Sequence, residues 1–195
     1  MRNLICSPKY KSLFDGTLGT WNTSPVDLEL KEGAKPYYGK PYPVPKAQEQ
    51  KLKDEIQRLI NFGVLKQVHE SEWGSPAYTI PKKDGITLRS IADLREVNKR
   101  IKRKPFPIPK ISELLMKLEN FQLGTSLDLN MGYYHIELTP EARRICTIVF
   151  PWGKYEYTRL PMGLCNSPDI FQAKMGELMY DLENVRAYID DLLVI

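Results

Sequence analysis

Apolar residues at helical intervals predict a long helix in the first half of the chain. Leu52, Ile56, Leu59 and Ile60 share one face of a helix running from about Lys46 to Asn61. Gly63 follows this stretch and supplies a stop, because glycine tolerates the left-handed backbone that ends many helices.

A second helix is predicted from Ser167 to Asn184. Ser167-Pro168-Asp169 is typical of a helix start, with a cap, a proline at the first position and an acid in the first turn. The stripe that follows should face the core, since its members recur at helical spacing: Phe171, Met175, Leu178 and Leu182. A shorter helix should begin at a Ser112 cap and end at Leu118, burying Leu114, Leu115 and Leu118.

Alternation and β-prone composition predict strands that are joined by tight turns. Lys83-Asp84-Gly85 indicates one hairpin turn, Trp152-Gly153 a second, and Asp190-Asp191 a third. Asn130-Met131-Gly132 should turn the chain after a strand, and Asp93–Asn98 is polar and turn-like. The predicted strands are 26–30, 65–68, 77–80, 86–92, 121–129, 145–150, 155–160, 185–189 and 192–195.

Residues 1–45 differ in composition from the rest, and we predict a linker or an extended accessory segment. Residues 36–45 hold four prolines interleaved with Tyr37, Tyr38 and Tyr42. Proline fixes φ and removes a hydrogen-bond donor, so an extended strap is favoured. A ligand for an SH3-type domain is a weaker alternative.

Positive charge is concentrated rather than large. The net charge is +4, yet nine Lys/Arg face only three Asp/Glu between Lys82 and Lys104, and Lys99–Lys104 is the densest part. This stretch is either a solvated basic loop or a phosphate-binding surface.

Cysteine and histidine usage argues against a zinc site or a disulfide framework. Cys6, Cys146 and Cys165 are scattered, and His69 and His135 lack partners at ligand spacing. Scattered cysteines suggest reduced thiols, and the sequence has neither a signal-peptide pattern nor a long apolar run. We therefore expect an intracellular protein without a membrane partner.

Three acids in β-rich surroundings are the strongest chemical signal. Asp128 ends one predicted strand, and Asp190 and Asp191 occupy the last hairpin. Such a pair is an ordinary solvated loop or half of a site for a hard cation. If the strands are neighbours, the three acids meet at one rim, and oxygen ligands favour Mg²⁺ or Mn²⁺. Two such ions, about 4 Å apart, serve in-line phosphoryl displacement.

Four motifs in order give the chain a family resemblance. Tyr188-Ile189-Asp190-Asp191 resembles the YxDD box of reverse transcriptases, and Ser126–Tyr133 resembles their earlier aspartate motif. Leu160-Pro161-Met162-Gly163 with Asn166-Ser167-Pro168 and Phe171 resembles the block between them. The fingers motif is matched by Pro81–Gly85, Arg89, Asp93, Arg95 and Asn98. Arg103–Pro109 and Trp152–Tyr157 are similar to gypsy-type LTR retrotransposon polyproteins, and residues 13–63 to the segment that precedes their fingers.

The resemblance implies an α+β fold with the fingers and palm of a right-hand polymerase. Fingers would comprise 46–102 and 136–166, and an incomplete palm 103–135 and 167–195. The chain would stop after the YxDD hairpin, without thumb, connection or RNase H.

Residue roles also follow from the resemblance. Asp128, Asp190 and Asp191, with the Leu129 carbonyl, would hold two Mg²⁺ or Mn²⁺ ions. Lys82, Arg89 and the amides of Met131 and Gly132 would bind the deoxynucleoside triphosphate. Tyr133 would exclude a 2′-hydroxyl, unless it is an ordinary core tyrosine, and Met162 would pack against the nucleotide because a thioether cannot replace an amide. Tyr188, Ile189 and Arg95 would contact nucleic acid.

The implied function is RNA-directed DNA polymerase activity on an RNA or DNA template with a primer. The implied partners include deoxynucleoside triphosphates and the protease, RNase H and integrase regions of a polyprotein, in cytoplasmic retroelement particles. Two alternatives stay open: a truncated, non-catalytic remnant that at most binds nucleic acid, and a purely structural nucleic-acid-binding module.

Overall fold

A computed structural model describes residues 8–81, 88–116 and 122–195. The predicted Lys83-Asp84-Gly85 turn, Lys82 and Leu118 lie outside the described residues. The side chains of Leu115 and Met116 are likewise outside them.

Five α-helices and two 3-10 helices are found in the described part of the chain. The helices are α1 (Lys46–Asn61), α2 (Arg95–Arg100), α3 (Ile111–Met116), α4 (Pro140–Ile145) and α5 (Ser167–Leu178). The 3-10 helices span Lys11–Leu13 and Gly132–His135.

Two sheets organise the strands. The larger has five strands in the order β1-β6-β5-β2-β3, and the smaller has three in the order β4-β8-β7. The pairs within them are antiparallel except β2 with β5. The strands are β1 (Leu65–Val68), β2 (Ser75–Pro81), β3 (Leu88–Ala92), β4 (Thr125–Asp128), β5 (Thr147–Phe150), β6 (Gly153–Tyr157), β7 (Val185–Tyr188) and β8 (Asp191–Val194).

The core joins α1, the large sheet and α5. Leu52 and Ile56 of α1 are buried against it, as are Ile148 of β5 and Phe171 and Met175 of α5. One buried apolar cluster therefore carries both sheets and places the small sheet beside α5.

Long elements match the prediction, and short helices do not. Helix α1 has the predicted limits, and Gly63 follows it with φ of 65°. The turn predicted at Asp93–Asn98 is wrong, because helix α2 begins at Arg95 and buries Val97. Helix α4 was not predicted. The Thr139 side chain caps it by accepting a hydrogen bond from the Ala142 N–H at 3.3 Å.

The predicted course of α5 is correct at its start and wrong at its end. The helix stops at Leu178 rather than Asn184, and Leu178 and Leu182 are exposed, so the apolar stripe is core only in its first half. Ser167 is the first helical residue and not a cap. Its buried Oγ donates to the Pro161 carbonyl at 2.7 Å and so fixes the preceding loop. Ser112 likewise lies inside α3 rather than capping it, and Leu114 is only partly buried.

Several predicted strands shrink or disappear. Residues 26–30 form no regular strand, only isolated bridges from Val26 to Leu138 and from Leu30 to Ile101. Ile145 ends a helix instead of beginning a strand, and β4 is limited to four exposed residues. The second strand of the second hairpin was predicted at 155–160, but β6 spans Gly153–Tyr157 and so begins and ends earlier.

The basic stretch is largely ion-paired within the chain. Lys102 and Lys104 both pair with Glu29, and Lys99 and Arg100 both pair with Glu96. Arg103 lies 3.7 Å from Asp169. Part of the predicted phosphate-binding charge is therefore used to hold the N-terminal segment and α2 in place.

Candidate active site

The last hairpin places two acids at the tip of the small sheet. Tyr188 pairs with Asp191, so the turn consists of Ile189 and Asp190. Ile189 has φ of 52°, a left-handed conformation that is rare for a β-branched residue. Such strain persists only where surrounding contacts hold it.

Gln172 of α5 supplies those contacts. Its Oε1 accepts a hydrogen bond from the Ile189 N–H at 2.7 Å, and its Nε2 donates to the Ala187 carbonyl at 3.3 Å. Gln172 is 5% exposed. One buried amide side chain therefore fixes the tip of the hairpin to the helix behind it.

The register of the small sheet brings the third acid to the same edge. Asp128 of β4 pairs directly with Asp191 of β8, and the Leu129 N–H donates to the Asp190 carbonyl at 3.0 Å. Directly opposed residues in an antiparallel pair project to the same face. The register therefore sets Asp128 and Asp191 opposite each other, with Asp190 next to them on the turn.

The donor set suits a hard divalent cation. Asp128 and Asp191 are exposed carboxylates opposite one another, and Asp190 follows on the turn. Like charges in this position repel, and a bound cation would offset that repulsion. Among the described residues, no three His, Cys, Asp or Glu side chains converge into a preassembled metal site.

A turn and a 3-10 helix follow Asp128 and face the hairpin. Met131 has φ of 58°, and a Cβ on Gly132 would lie 3.1 Å from Phe171 and 3.5 Å from the Cβ of Asp190. A side chain here would require Phe171 to move by a few tenths of an ångström, so glycine favours this approach. The Gly132 N–H donates to the Leu129 carbonyl at 3.1 Å. The two backbone groups that the resemblance assigns to the triphosphate and the metal are thus bonded to each other.

Tyr133 lies beside the acids, and its ring contacts that of Phe171. Its ring centroid lies 4.8 Å from that of Phe171. Burial, and then the nearby charge of Asp190, raise the pKa of Tyr133. Its hydroxyl therefore stays protonated and able to donate at neutral pH.

A cleft of about 370 Å³ opens between α1, β3 and the turn at Met131. It brings together three residues that the resemblance assigns to the nucleotide: Arg89, Met131 and Met162. Gly132, Tyr133 and the hairpin tip lie next to this cleft. Arg95 lies apart from it, 81% exposed and paired with Asp93 at 2.7 Å.

Two further charged residues line the cleft and were not singled out in the sequence. Arg58 donates two hydrogen bonds to Glu55, from Nε at 2.7 Å and from Nη2 at 2.9 Å. Tyr134 and Tyr157 line the cleft too, and burial raises the pKa of both. Three-residue spacing on a helix signals the Glu55–Arg58 pair, yet nothing local shows that the pair faces a cleft.

Asn98 holds the loop that carries Met162. Its Nδ2 donates to the Gly163 carbonyl at 2.8 Å, and its Oδ1 accepts from the Cys165 N–H at 2.8 Å. The fingers motif and the loop motif, far apart in the chain, are thereby joined.

A fingers sheet and a palm sheet, with paired acids on a palm hairpin, define the class of right-hand nucleic-acid polymerases. The family model described as reverse transcriptase (RNA-dependent DNA polymerase) matches residues 80–195. The chain belongs to this family.

Similar proteins are retroelement and foamy virus polyproteins. The Pol polyprotein of transposon 412 from Drosophila melanogaster is 34% identical over 175 residues, covering 86% of this chain and 14% of its own length. That of transposon 297 from the same organism is 30% identical, covering 86% and 18%. The Pro-Pol polyprotein of simian foamy virus type 1 is 33% identical, covering 80% and 13%. The chain thus spans less than a fifth of these relatives.

Solved structures agree with the fold. A crystal structure of the prototype foamy virus protease–reverse transcriptase superposes with a TM-score of 0.85 at 29% identity, covering 100% of this chain and 26% of the other. A structure of the foamy viral enzyme with an RNA/DNA hybrid gives 0.86 at 24% identity, covering 99% and 26%. Within the described residues, no helix is long and apolar enough to cross a membrane.

Proposed function

We propose that this chain is the fingers and palm of an RNA-directed DNA polymerase, which adds deoxynucleotides to a primer 3′-hydroxyl. The observation that carries the proposal is the register of the small sheet, which sets Asp128 opposite Asp191 beside Asp190. Family membership supports the reaction class.

The division into subdomains belongs to the same proposal. Fingers comprise 46–102 and 136–166, and palm comprises 103–135 and 167–195. In support, the five-stranded sheet draws its strands from the first pair of ranges and the three-stranded sheet from the second.

Asp128, Asp190 and Asp191, with the Leu129 carbonyl, would hold two Mg²⁺ or Mn²⁺ ions. When bound, such ions activate the primer hydroxyl and stabilise the leaving oxygen. The protein's own contribution is placement: Gln172 fixes the hairpin tip, and the Leu129 N–H ties it to β4. The strained turn is thus held before any ligand arrives.

Deoxynucleoside triphosphates are the proposed small substrates. Arg89 is exposed at the cleft and carries a planar guanidinium suited to phosphate. Lys82, Met131 and Gly132 complete the triphosphate site in this proposal. Tyr133 lies under the sugar and excludes a 2′-hydroxyl, and Met162 packs against the nucleotide.

Template and primer are the proposed macromolecular partners, contacted by Tyr188, Ile189 and Arg95. Template–primer hybrids are A-like and are recognised by shape and backbone rather than base sequence. The foamy viral protease–reverse transcriptase has been solved in complex with an RNA/DNA hybrid, which is consistent with this proposal. Other regions of a polyprotein are proposed partners because the similar proteins are polyproteins. The family resemblance suggests that these regions are protease, RNase H and integrase.

Primer extension tests the proposal. The chain, alone and fused to the thumb of a related enzyme, should extend a primer on RNA with Mg²⁺ and deoxynucleoside triphosphates. Asp128→Asn should abolish extension, because it removes one carboxylate of the opposed pair. Asp181→Asn, an exposed acid outside the site, should leave extension unchanged.

A non-catalytic protein that only binds nucleic acid is the second candidate. The basic run from Lys99 to Lys104 favours it, because lysine and arginine can bind a phosphate backbone without any catalysis. It predicts salt-sensitive hybrid binding by both forms of the chain, with no extension by either. Extension that depends on Asp128 would exclude it.

A further inference from the structure

The N-terminal segment from Leu18 to Leu30, which precedes the region matched by the family model, lies directly against the candidate site. The Trp21 N–H donates to the His135 carbonyl at 3.0 Å, and the Val26 N–H donates to the Glu137 carbonyl at 2.8 Å. Lys174 of α5 donates to the Ser24 carbonyl at 2.9 Å. The segment is therefore attached both to the 3-10 helix that carries Tyr133 and to the helix behind the hairpin.

Trp21 makes the central contact of this segment. Its ring centroid lies 4.9 Å from that of Phe171, and the Tyr133 ring lies 4.8 Å from the same phenylalanine. Phe171 is fully buried. Both pairs are tilted, at 39° and 33°, so Phe171 is the ring that Trp21 and Tyr133 both contact.

These three rings are closely packed against the backbone at Gly132. Gly132 passes so close to Phe171 that a Cβ would lie 3.1 Å from the ring. A shift of Phe171 away from Trp21 would therefore change both the support under Tyr133 and the approach of Gly132 to Asp190. Packed interiors transmit such displacements because they contain few voids.

His135 gives Trp21 a second route to the site. The two rings are stacked at 6.0 Å, and a Cβ on Gly19 would lie 3.4 Å from the His135 ring. His135 Nε2 lies 3.1 Å from the Asn130 carbonyl oxygen, at the start of the left-handed turn. The N-terminal segment thus contacts His135, which in turn links the end of the 3-10 helix to Asn130.

We propose that Trp21 is a positioning residue for sugar selection, which holds Tyr133 in place through Phe171. The role rests on the proposed function, since it assumes that Tyr133 faces a nucleotide sugar. Trp21 touches no substrate in this proposal. It sets the height and tilt of the Tyr133 ring, and so determines how closely a 2′-hydroxyl can approach.

The first test needs no activity. In a fluorotyrosine-labelled chain, fluorine NMR reports each tyrosine ring, and Tyr133→Phe assigns the resonance. Trp21→Leu should shift the Tyr133 resonance, and Trp21→Phe should shift it less, because a ring remains. Trp152→Leu is the matched control, because Trp152 is also partly buried and in contact with a phenylalanine, Phe150. Trp152 lies between β5 and β6 of the large sheet, away from Tyr133.

The second test measures selection on the full chain as the ratio of the Kd for ATP to that for dATP. Trp21→Leu should lower this ratio by up to about tenfold, the effect of losing one aromatic pair. Trp152→Leu should leave it unchanged. General destabilisation would weaken both nucleotides equally and would not move the ratio.

The outcomes separate the two proposals. A Tyr133 resonance that is unchanged in folded Trp21→Leu, or in Trp21→Phe if the leucine variant does not fold, overturns the positioning role. A wild-type chain that binds neither nucleotide counts against the proposed function. The NMR result then shows only whether Trp21 positions Tyr133 through Phe171. A shifted resonance with an unchanged ratio limits Trp21 to packing and rejects its part in selection.

Discussion

At the residue scale, two residues of the candidate site other than glycine adopt the left-handed backbone conformation. Met131 and Ile189 have φ of 58° and 52°, and both are followed by the groups that matter most, Gly132 and Asp190. Neither conformation is favoured by the residue that adopts it. Each must be imposed by neighbouring groups, so the neighbours are where single substitutions should have large effects.

Gln172→Ala should reduce the free energy of unfolding by about 1–3 kcal/mol, because the Ile189 N–H loses its partner at a partly buried turn. The proposed primer extension should fall as well, since Asp190 and Asp191 directly follow Ile189. Urea denaturation measures the first effect. Gln57→Ala, on the exposed face of α1, should change stability by less than about 0.5 kcal/mol. Equal losses for the two variants would show that Gln172 has no special role.

Asp93 should make stability depend on acid pH. Hydrogen bonds from Arg95 and Tyr42 hold the pKa of Asp93 well below its usual range. A lowered pKa adds stability above the unfolded value of about 3.9, and this contribution is lost as the pH falls below it. Asp93→Asn should therefore cost about 1 kcal/mol at neutral pH, with a smaller difference from wild type at about pH 3.

Urea midpoints measured from neutral pH down to about pH 3 check the sign of this effect. Tyr42→Phe removes one of the two partners and should give a smaller version of the same change. A difference between Asp93→Asn and wild type that stays constant over this range would contradict the assignment.

Residues could be predicted where their chemistry is unusual for their local setting. Asp128, Asp190 and Asp191 stand out because acids are rare between β-prone residues. Gln172 and Trp21 could not be predicted, since an amide on a helix and an aromatic in a loop are ordinary in isolation. Their importance comes from partners that are distant in sequence, Ile189 and Phe171.

At the element scale, the small sheet combines an exposed strand with an electrostatic cost. Strand β4 is exposed along its whole length, and its last residue opposes an acid on β8. Opposed like charges destabilise a strand pair by a fraction of a kcal/mol to about 1 kcal/mol. In the proposed function, this cost in stability belongs to the edge that would hold the metal ions.

Asp128→Asn should therefore stabilise the metal-free chain by up to about 1 kcal/mol. Mg²⁺ should raise the melting temperature of wild type, because a ligand that binds only the folded state stabilises it. The variant should lose most of that increase. Thermal denaturation with EDTA and with Mg²⁺ measures both effects. A variant that is less stable than wild type in EDTA would contradict the opposed-charge geometry.

Elements could be predicted from the sequence where the pattern is long or the turn is specific. Helix α1 has enough turns to show its apolar face, and β1 has the predicted limits. Helices α2 and α4 are six residues each, too short for periodicity to reveal. Residues 26–30 alternate like a strand but make only single bridges, because their neighbours are irregular segments.

At the scale of the whole molecule, fewer basic side chains are free to bind a phosphate backbone than the basic stretch suggests. The basic stretch that suggested a phosphate-binding surface is partly neutralised by Glu29, Glu96 and Asp169. Glu29 alone pairs with Lys102 and Lys104, which lower its pKa. The two Glu29 pairs are exposed to solvent, so a phosphate backbone can compete with Glu29 for the same lysines.

Glu29→Gln should therefore tighten binding to an RNA/DNA hybrid, because it releases two lysines. If one of them reaches a phosphate, the slope of log affinity against log salt should steepen by about 0.9. Fluorescence anisotropy from about 50 to 200 mM salt measures this slope. Glu32→Gln removes the same charge from an exposed position in the same segment. An identical slope change in both variants would point to net charge alone, whereas a change confined to Glu29→Gln would place Lys102 or Lys104 on the nucleic-acid path.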